Sequence, residues 1–93
     1  MVDMKDVLPL IGEFLGTFLF LMSILVVGNP LVIGGVLALV IWLLSKTSGG
    51  HLNPAVSLAF YLKGSLSNME YIGYIGAQFA AAIAALYTYK ALV

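Results

Sequence analysis

The sequence has very little of what soluble enzymes and nucleic-acid-binding proteins depend on. It contains no cysteine, which excludes a disulfide framework and a thiolate metal site. All four of its basic residues are lysines, so arginine is absent as well. Charged residues make up only 9% of the 93 positions, and the four basic side chains balance four acidic ones. Because no basic cluster is present, neither a nucleic-acid partner nor a polybasic lipid-binding tail is expected.

The chain is instead rich in apolar residues. Hydrophobic residues make up 62% of it, and the mean hydropathy is +1.11. A soluble protein of this size needs more polar surface than such a composition can supply. We therefore expect a multi-pass integral membrane protein of the cell or inner membrane, with the lipid bilayer as its partner.

Three apolar stretches are candidates for membrane-spanning helices. A helix needs about 20 apolar residues, within a range of about 17 to 25, to cross a hydrocarbon core of roughly 30 Å. Spans are predicted at about 7–27, 31–45 and 70–89, the second being short for a full crossing. They predict a single domain over 1–93. Interfacial anchors are expected near the ends of the third span at Tyr71, Tyr74, Tyr87 and Tyr89.

A polar segment and a short apolar helix lie between the second and third spans. Residues 54–62 are apolar, but nine residues at about 1.5 Å each cover only about half of a hydrocarbon core. Asn53 before Pro54 is a helix-start signal. The glycine-rich approach and the capped half-length helix predict a re-entrant segment over 47–62. Irregular backbone at that depth is tolerated only where it is buried in protein or lines a water-filled cavity.

The segment from Ser48 to Val56, Ser-Gly-Gly-His-Leu-Asn-Pro-Ala-Val, resembles the first signature loop of the aquaporin and glycerol-facilitator family, the major intrinsic proteins. Two distant features agree with it. Residues 13–17, Glu-Phe-Leu-Gly-Thr, resemble that family's first-helix motif, and Ala77-Gln78 stands where the family has an Ala-Gln pair. The resemblance covers one of the family's two homologous halves. It implies an all-α membrane fold of three transmembrane helices plus one re-entrant half helix, an aquaporin-like half-repeat.

The same resemblance implies a passive channel subunit for water or small neutral solutes such as glycerol, with no enzymatic activity, no cofactor and no metal. Asn53 would donate amide N–H groups to a passing oxygen, at a helix N-terminus whose partial positive charge repels cations. Backbone carbonyls of residues 49–51 would form a ladder of acceptors along the pore wall. The residues implied in the pore and its selectivity are Asn53, Pro54, Ala55, Gly49, Gly50, His51, Ile33 and Val56.

Two of these positions depart from the family pattern. The family's second half has an arginine directly after its Asn-Pro-Ala, where this chain has Val56. A constriction position that is often a large aromatic residue in the family is Ile33 here. The narrowest ring of the pore would therefore be unusually apolar, which leaves the choice among water, glycerol and other small solutes open.

Two residues, Glu13 and His51, have alternative interpretations. Glu13 lies inside the first span, where an ionisable residue is a functional hypothesis by default. It either couples proton movement to transport or accepts hydrogen bonds from the re-entrant loop, with Gln78 sharing that role. We favour loop bracing, because backbone at membrane depth needs partners. His51 is interpreted as another loop-bracing residue rather than a pH switch or metal ligand, since no second histidine or cysteine exists.

A pore needs a second half helix from the opposite membrane face. The partner is either an inverted copy of this chain, giving a dual-topology homodimer, or a separately encoded half. We favour the homodimer, and the resemblance implies that four such pairs assemble. Other interpretations remain open: a proton-coupled transporter using Glu13, a holin-like membrane protein, or a fragment of a longer channel. A mild bias towards one orientation comes from lysines 5, 46 and 63 on one side against lysine 90 on the other.

Overall fold

The computed structural model describes residues 3–93, which are all-helical and contain no β-strand. This confirms the all-α class. A π-helical segment, Ser23–Val27, directly continues the first α-helix. The α-helices are α1, Met4–Met22; α2, Pro30–Leu44; α3, Pro54–Lys63; and α4, Asn68–Leu92.

The bounds of the helices follow from their capping residues. Ser67 and Glu70 form a reciprocal capping box, in which each side chain accepts a hydrogen bond from the other residue's backbone N–H. This box starts α4 at Asn68, so the helix extends beyond the predicted 70–89 at both ends. The Asp3 side chain caps α1 by accepting from the N–H of Lys5 at 3.2 Å.

Two helical stretches, Met4–Val27 and Asn68–Leu92, are long and apolar enough to cross a membrane by length and composition. The helix α2 is also apolar but has only 15 residues. At about 1.5 Å per residue it measures roughly 22 Å, which is shorter than a hydrocarbon core of about 30 Å. A third crossing and the division into one domain over 1–93 therefore remain predictions.

The interior of the bundle is unusually polar. Glu13 of α1, Ser57 of α3 and Gln78 of α4 are the largest fully buried side chains, with 0%, 0% and 2% of their surface exposed. Large apolar side chains of α1 instead point outward at helical spacing. This stripe comprises Met4, Leu8, Ile11, Leu15 and Leu19. A polar interior with an apolar exterior suits a protein whose solvent is lipid, because buried polar groups must find their partners inside the protein.

Candidate functional site

The loop between α2 and α3 has a backbone that glycine makes possible. Gly49 and Gly50 have φ angles of +90° and +68°, in the left-handed region that favours glycine. A Cβ atom on Gly50 would lie 2.8 Å from the Cα of Ile41, which belongs to the α2 backbone and cannot easily move. Gly50 therefore allows the loop to lie directly against α2.

Leu52 also has a left-handed backbone, with φ +58°, although it is not glycine. Such a conformation costs on the order of 1 kcal/mol or more and persists only where surrounding contacts fix it. The Leu52 side chain is buried, with 3% exposed, and its backbone N–H donates to Glu13 Oε1 at 2.8 Å. The position immediately before Asn53 is thus fixed by the carboxylate of α1.

Glu13 is the centre of the buried hydrogen-bond network. Its Oε2 accepts from the hydroxyl of Ser48 at 2.6 Å and the backbone N–H of His51 at 2.9 Å. Its Oε1 accepts from the N–H of Leu52 and from the side-chain amide of Gln78, the latter at 3.0 Å. Four donors fill the acceptor capacity of an ionised carboxylate. One side chain therefore satisfies loop groups that would otherwise be unpaired inside the protein.

A second layer joins the loop to α3 and α4 through Ser57. The Ser57 hydroxyl oxygen accepts from Gln78 Nε2 at 2.8 Å and lies 2.9 Å from His51 Nδ1. The Ser57 hydroxyl has one proton and a second lone pair besides the one that accepts from Gln78, so the tautomer of His51 determines which of the two groups donates. The His51 ring stacks on Phe60 with 4.6 Å between ring centroids. The histidine is therefore positioned by stacking on Phe60 and by one ring nitrogen.

Tyr74 of α4 closes the network from the other side. Its hydroxyl donates to the backbone carbonyl of Ser48 at 2.8 Å, and its ring centroid lies 4.9 Å from that of His51. The side chain is buried, with 6% exposed. The sequence-based interpretation of Tyr74 as an interfacial anchor was therefore wrong.

Asn53 caps α3 with one end of its amide. Its Oδ1 accepts from the backbone N–H of Ala55 at 2.8 Å, and the residue is exposed. Because Nδ2 cannot accept a hydrogen bond, this contact fixes the orientation of the amide and leaves both Nδ2–H donors free for another partner. Asn53 lines a groove of about 180 Å³ with the residues Phe20, Leu37, Ile41, Gly50, His51, Leu52 and Val56.

The structure brings together some of the predicted pore residues and not others. Gly50, His51, Asn53 and Val56 line the groove, whereas Ile33 is half-buried one turn along α2 from the groove residue Leu37. Pro54 and Ala55 form the first turn of α3, and Gly49 is exposed beside the His51 ring. Within residues 3–93, no protein group donates to the carbonyl oxygens of residues 49–51.

Several residues of the site were not found from the sequence. Ser57 and Tyr74 have no motif of their own, yet each is four residues from a predicted site residue, Asn53 and Gln78 respectively. Positions four apart share a helix face, so this spacing could have indicated them. The groove walls from Phe20, Leu37 and Ile41 required the packing of α1 and α2. Over the described range, no three His, Asp or Glu side chains are grouped to hold a metal ion.

Known proteins match this chain in sequence. The family model described as major intrinsic protein matches residues 23–93. Aquaglyceroporin AqpS of Rhizobium meliloti is 40% identical over 62 residues, covering 67% of this chain and 27% of that protein. Lens fiber major intrinsic protein of Gallus gallus is 36% identical over 87 residues, covering 81% of this chain and 33% of that protein. Glycerol uptake facilitator protein-like 6 of Lactiplantibacillus plantarum is 39% identical over 92 residues, covering 89% of this chain and 43% of that protein.

An all-helical chain with an apolar exterior, in which a buried carboxylate fixes the loop before a capped short helix, defines an all-α membrane protein. The match over residues 23–93 assigns it further: the chain belongs to the major intrinsic protein family, whose members are integral membrane proteins. It spans less than half the length of the three relatives named above. No solved structure matches the chain significantly.

Proposed function

We propose that the chain is a subunit of a passive channel for water or small neutral solutes, and that it is neither an enzyme nor cofactor-dependent. The observation that carries this proposal is the Asn53 amide. It lies at the start of the ten-residue helix α3, with Oδ1 used for capping and both Nδ2–H donors without an acceptor among residues 3–93. A donor fixed at such a place hydrogen-bonds a passing water or hydroxyl oxygen and offers nothing to a bare cation.

The length of α3 supports its assignment as a re-entrant half helix. Ten residues measure about 15 Å, or about half of a hydrocarbon core. Its N-terminus would then lie near the bilayer centre, where the helix dipole opposes cations. The free carbonyls of residues 49–51 would serve as acceptors on the approach to Asn53. Together these groups form a path that offers acceptors and then donors to a neutral solute.

The names of two relatives support the solute class. One is called an aquaglyceroporin and another a glycerol uptake facilitator-like protein. The groove of this chain is mainly apolar, with Val56 at the position after Asn-Pro-Ala. An apolar wall beside a few polar groups suits a solute such as glycerol, which has carbon-bound hydrogens on one side and hydroxyls on the other. We therefore place glycerol-sized neutral solutes beside water as candidate substrates.

The pore would be completed by a second half helix from the opposite face. We propose a three-pass half-repeat over 1–93 that pairs with an inverted copy of itself, and four such pairs in the assembly. The alternative partner is a separately encoded inverted half. The groove supports pairing. This chain lines it on one side only, with residues of α1, α2, the loop before α3 and α3 itself, and Asn53 is exposed there to a second chain.

Glu13 is a poor candidate for a proton carrier. All four of its partners donate to the carboxylate, and two of them are backbone N–H groups that cannot accept a proton in return. Protonation would therefore break contacts that fix the loop. This geometry favours a passive channel over a transporter coupled through Glu13.

Osmotic swelling of proteoliposomes tests the channel. Vesicles containing the protein should swell faster than empty vesicles in an inward glycerol or water gradient, at a rate unchanged by collapse of a proton gradient. Swelling that requires the proton gradient would contradict the passive mechanism. Leakage of a large entrapped dye at the same rate as glycerol would indicate a membrane lesion instead.

Single-cysteine labelling tests the inverted pairing. Because the chain has no cysteine, Met69→Cys and Val93→Cys each introduce a unique thiol, at positions 78% and 83% exposed near opposite ends of α4. An impermeant maleimide should label each variant from both faces of the membrane if the chain inserts in two orientations. Labelling of each variant from one face only would exclude the homodimer and require a separate inverted half.

A further inference from the structure

A second cavity lies between the N-terminal turns of α1 and α4, and it shares no lining residue with the Asn53 groove. Its volume is about 440 Å³, which falls within the range of about 300–1,000 Å³ typical of small-molecule sites. The lining residues are Lys5, Asp6, Val7, Pro9, Leu10, Ser67, Met69, Glu70 and Tyr74. None of them except Tyr74 contributes to the network around Glu13.

The position of this cavity relates it to the membrane surface. Both helices that form it are long and apolar enough to cross a membrane, and both contribute their N-terminal turns. Charged residues occur at the start of both helices, with Lys5 and Asp6 on α1 and Glu70 on α4. A cavity at the start of two such helices lies where the hydrocarbon core meets the lipid headgroups.

The lining of the cavity includes both apolar and charged residues. Val7, Pro9 and Leu10 provide an apolar wall, whereas two carboxylates and one ammonium form the polar wall. The Lys5 ammonium lies 3.8 Å from the carboxylate of Asp3, which is not part of the lining. The Asp6 carboxylate has no hydrogen-bond or ion-pair partner within the described range 3–93.

Glu70 retains capacity for a ligand despite its capping role. Its Oε1 accepts from the backbone N–H of Ser67 at 2.8 Å, which leaves Oε2 without a protein donor among the described residues. The cavity therefore presents two carboxylate acceptors, from Asp6 and Glu70, near a single cation. A complementary ligand would have a cationic group with several N–H donors, a phosphate that Lys5 attracts, and an apolar tail.

From this arrangement we infer that the cavity binds a phospholipid whose headgroup carries a primary ammonium. The ammonium contacts Asp6 and Glu70, the phosphate lies towards Lys5, and the acyl chains follow the apolar wall of Val7, Pro9 and Leu10. A trimethylammonium headgroup has the same charge but no N–H donor, so the site distinguishes the two by hydrogen bonding. This inference does not depend on the channel function or on the pairing of two copies.

Native mass spectrometry of the whole protein tests the inference. The protein is reconstituted in vesicles with equal amounts of phosphatidylethanolamine, phosphatidylcholine and phosphatidylglycerol, extracted in detergent and examined for retained lipid. We expect preferential retention of phosphatidylethanolamine. Asp6→Asn and Glu70→Gln should each reduce that preference about two- to fivefold, and the double variant about tenfold, as expected for partly exposed charge contacts.

The variants have built-in controls for folding and for general charge effects. Glu70→Gln keeps the capping box, because a glutamine oxygen also accepts from the N–H of Ser67. Asp3→Asn removes one negative charge in the same region but outside the cavity, and asparagine remains a good cap. Asp3→Asn releases Lys5 from its ion pair but removes no contact with the headgroup ammonium, so it should not reduce the preference for phosphatidylethanolamine over phosphatidylcholine. Melting temperatures in detergent should be equal for all three single variants.

Three outcomes would overturn the inference. Equal retention of the ethanolamine and choline lipids would show that the ammonium protons are not recognised. Preference for phosphatidylglycerol would indicate an anion site at Lys5 instead. A loss of preference in Asp3→Asn as large as in Asp6→Asn would show a general effect of surface charge.

Discussion

Two helices of this chain begin with the same local structure, yet only one of those beginnings forms a candidate site. Asn29-Pro30 starts α2 and Asn53-Pro54 starts α3, and in both cases the asparagine is extended and the proline occupies the first turn. The Asn29 Oδ1 accepts from Leu31 N at 2.9 Å, as the Asn53 Oδ1 does from Ala55 N at 2.8 Å. The capping chemistry is the same at both positions.

The residues before the two asparagines explain the difference. Gly28 and Leu52 both have left-handed backbones, with φ angles of +69° and +58°. The N–H of Gly28 donates to the carbonyl of Ser23 at 3.0 Å, so that turn is complete by itself. The N–H of Leu52 instead donates to Glu13, 39 positions away in the chain. Local sequence is sufficient for the first turn, whereas the second needs a carboxylate from another helix.

Removal of the Glu13 carboxylate should have the largest effect on the turn before Asn53. In Glu13→Gln, an amide NH₂ replaces one acceptor oxygen and faces donors, while the side-chain volume hardly changes. We expect a loss of about 3–5 kcal/mol in stability, because hydrogen bonds to a charged acceptor are lost and at least one buried donor is left unpaired. Chemical unfolding in detergent micelles would measure it. A variant as stable as the parent would show that the loop does not depend on Glu13.

Gly50 and Gly49 provide a matched pair for the next largest effect. Gly50→Ala places a Cβ against the α2 backbone at 2.8 Å and also strains φ, so we expect a loss of about 2–3 kcal/mol. In Gly49→Ala the nearest atom to the new Cβ is His51 Nε2 at 3.5 Å, and only the strain in φ remains, about 1 kcal/mol. Equal losses in melting experiments would mean that contact with α2 does not determine the loop position.

Substitution of the two asparagines separates capping from transport. Aspartate caps helices as well as asparagine, so Asn53→Asp and Asn29→Asp should both preserve stability. Asn53→Asp removes the two amide donors and adds charge in the groove, so glycerol-driven swelling should fall about tenfold or more, as expected for losing one hydrogen bond in the rate-limiting contact. Swelling should be unchanged in Asn29→Asp. An equal fall in both variants would assign the effect to helix capping.

Thr17 gives the smallest expected effect and a control on the same helix. Its hydroxyl oxygen is buried one turn from Glu13 and has no hydrogen-bond partner among the described residues. Thr17→Val removes this hydroxyl without changing the side-chain shape, so the free energy of unfolding should stay equal or rise by up to about 0.5 kcal/mol. A marked loss of stability would show that the hydroxyl has a bonded partner in the membrane.

Much of the fold follows from local sequence, whereas the site follows only in part. Caps, proline positions and apolar length are local, and they predicted a short helix at 54–62, found at Pro54–Lys63, and the two long apolar helices. The sequence indicated Glu13 as a site residue because an ionisable side chain inside an apolar stretch is costly unless it has a functional or structural role. The left-handed Leu52 and the partner of Tyr74 could not be predicted. Both depend on which face of each helix packs against the loop. Because the lipid-facing side of a membrane helix is apolar, the hydrophobic pattern of the sequence does not show which face is buried.

The contacts of Gln78 have a consequence for how the protein is made. Gln78 donates to Glu13 and to Ser57, which precede it by 65 and 21 positions. A ribosome therefore releases the loop and its carboxylate well before it releases the residue that joins them. During that interval Glu13 and Ser57 lack the Gln78 amide, so the order of synthesis leaves the network around the loop incomplete until α4 packs beside α1.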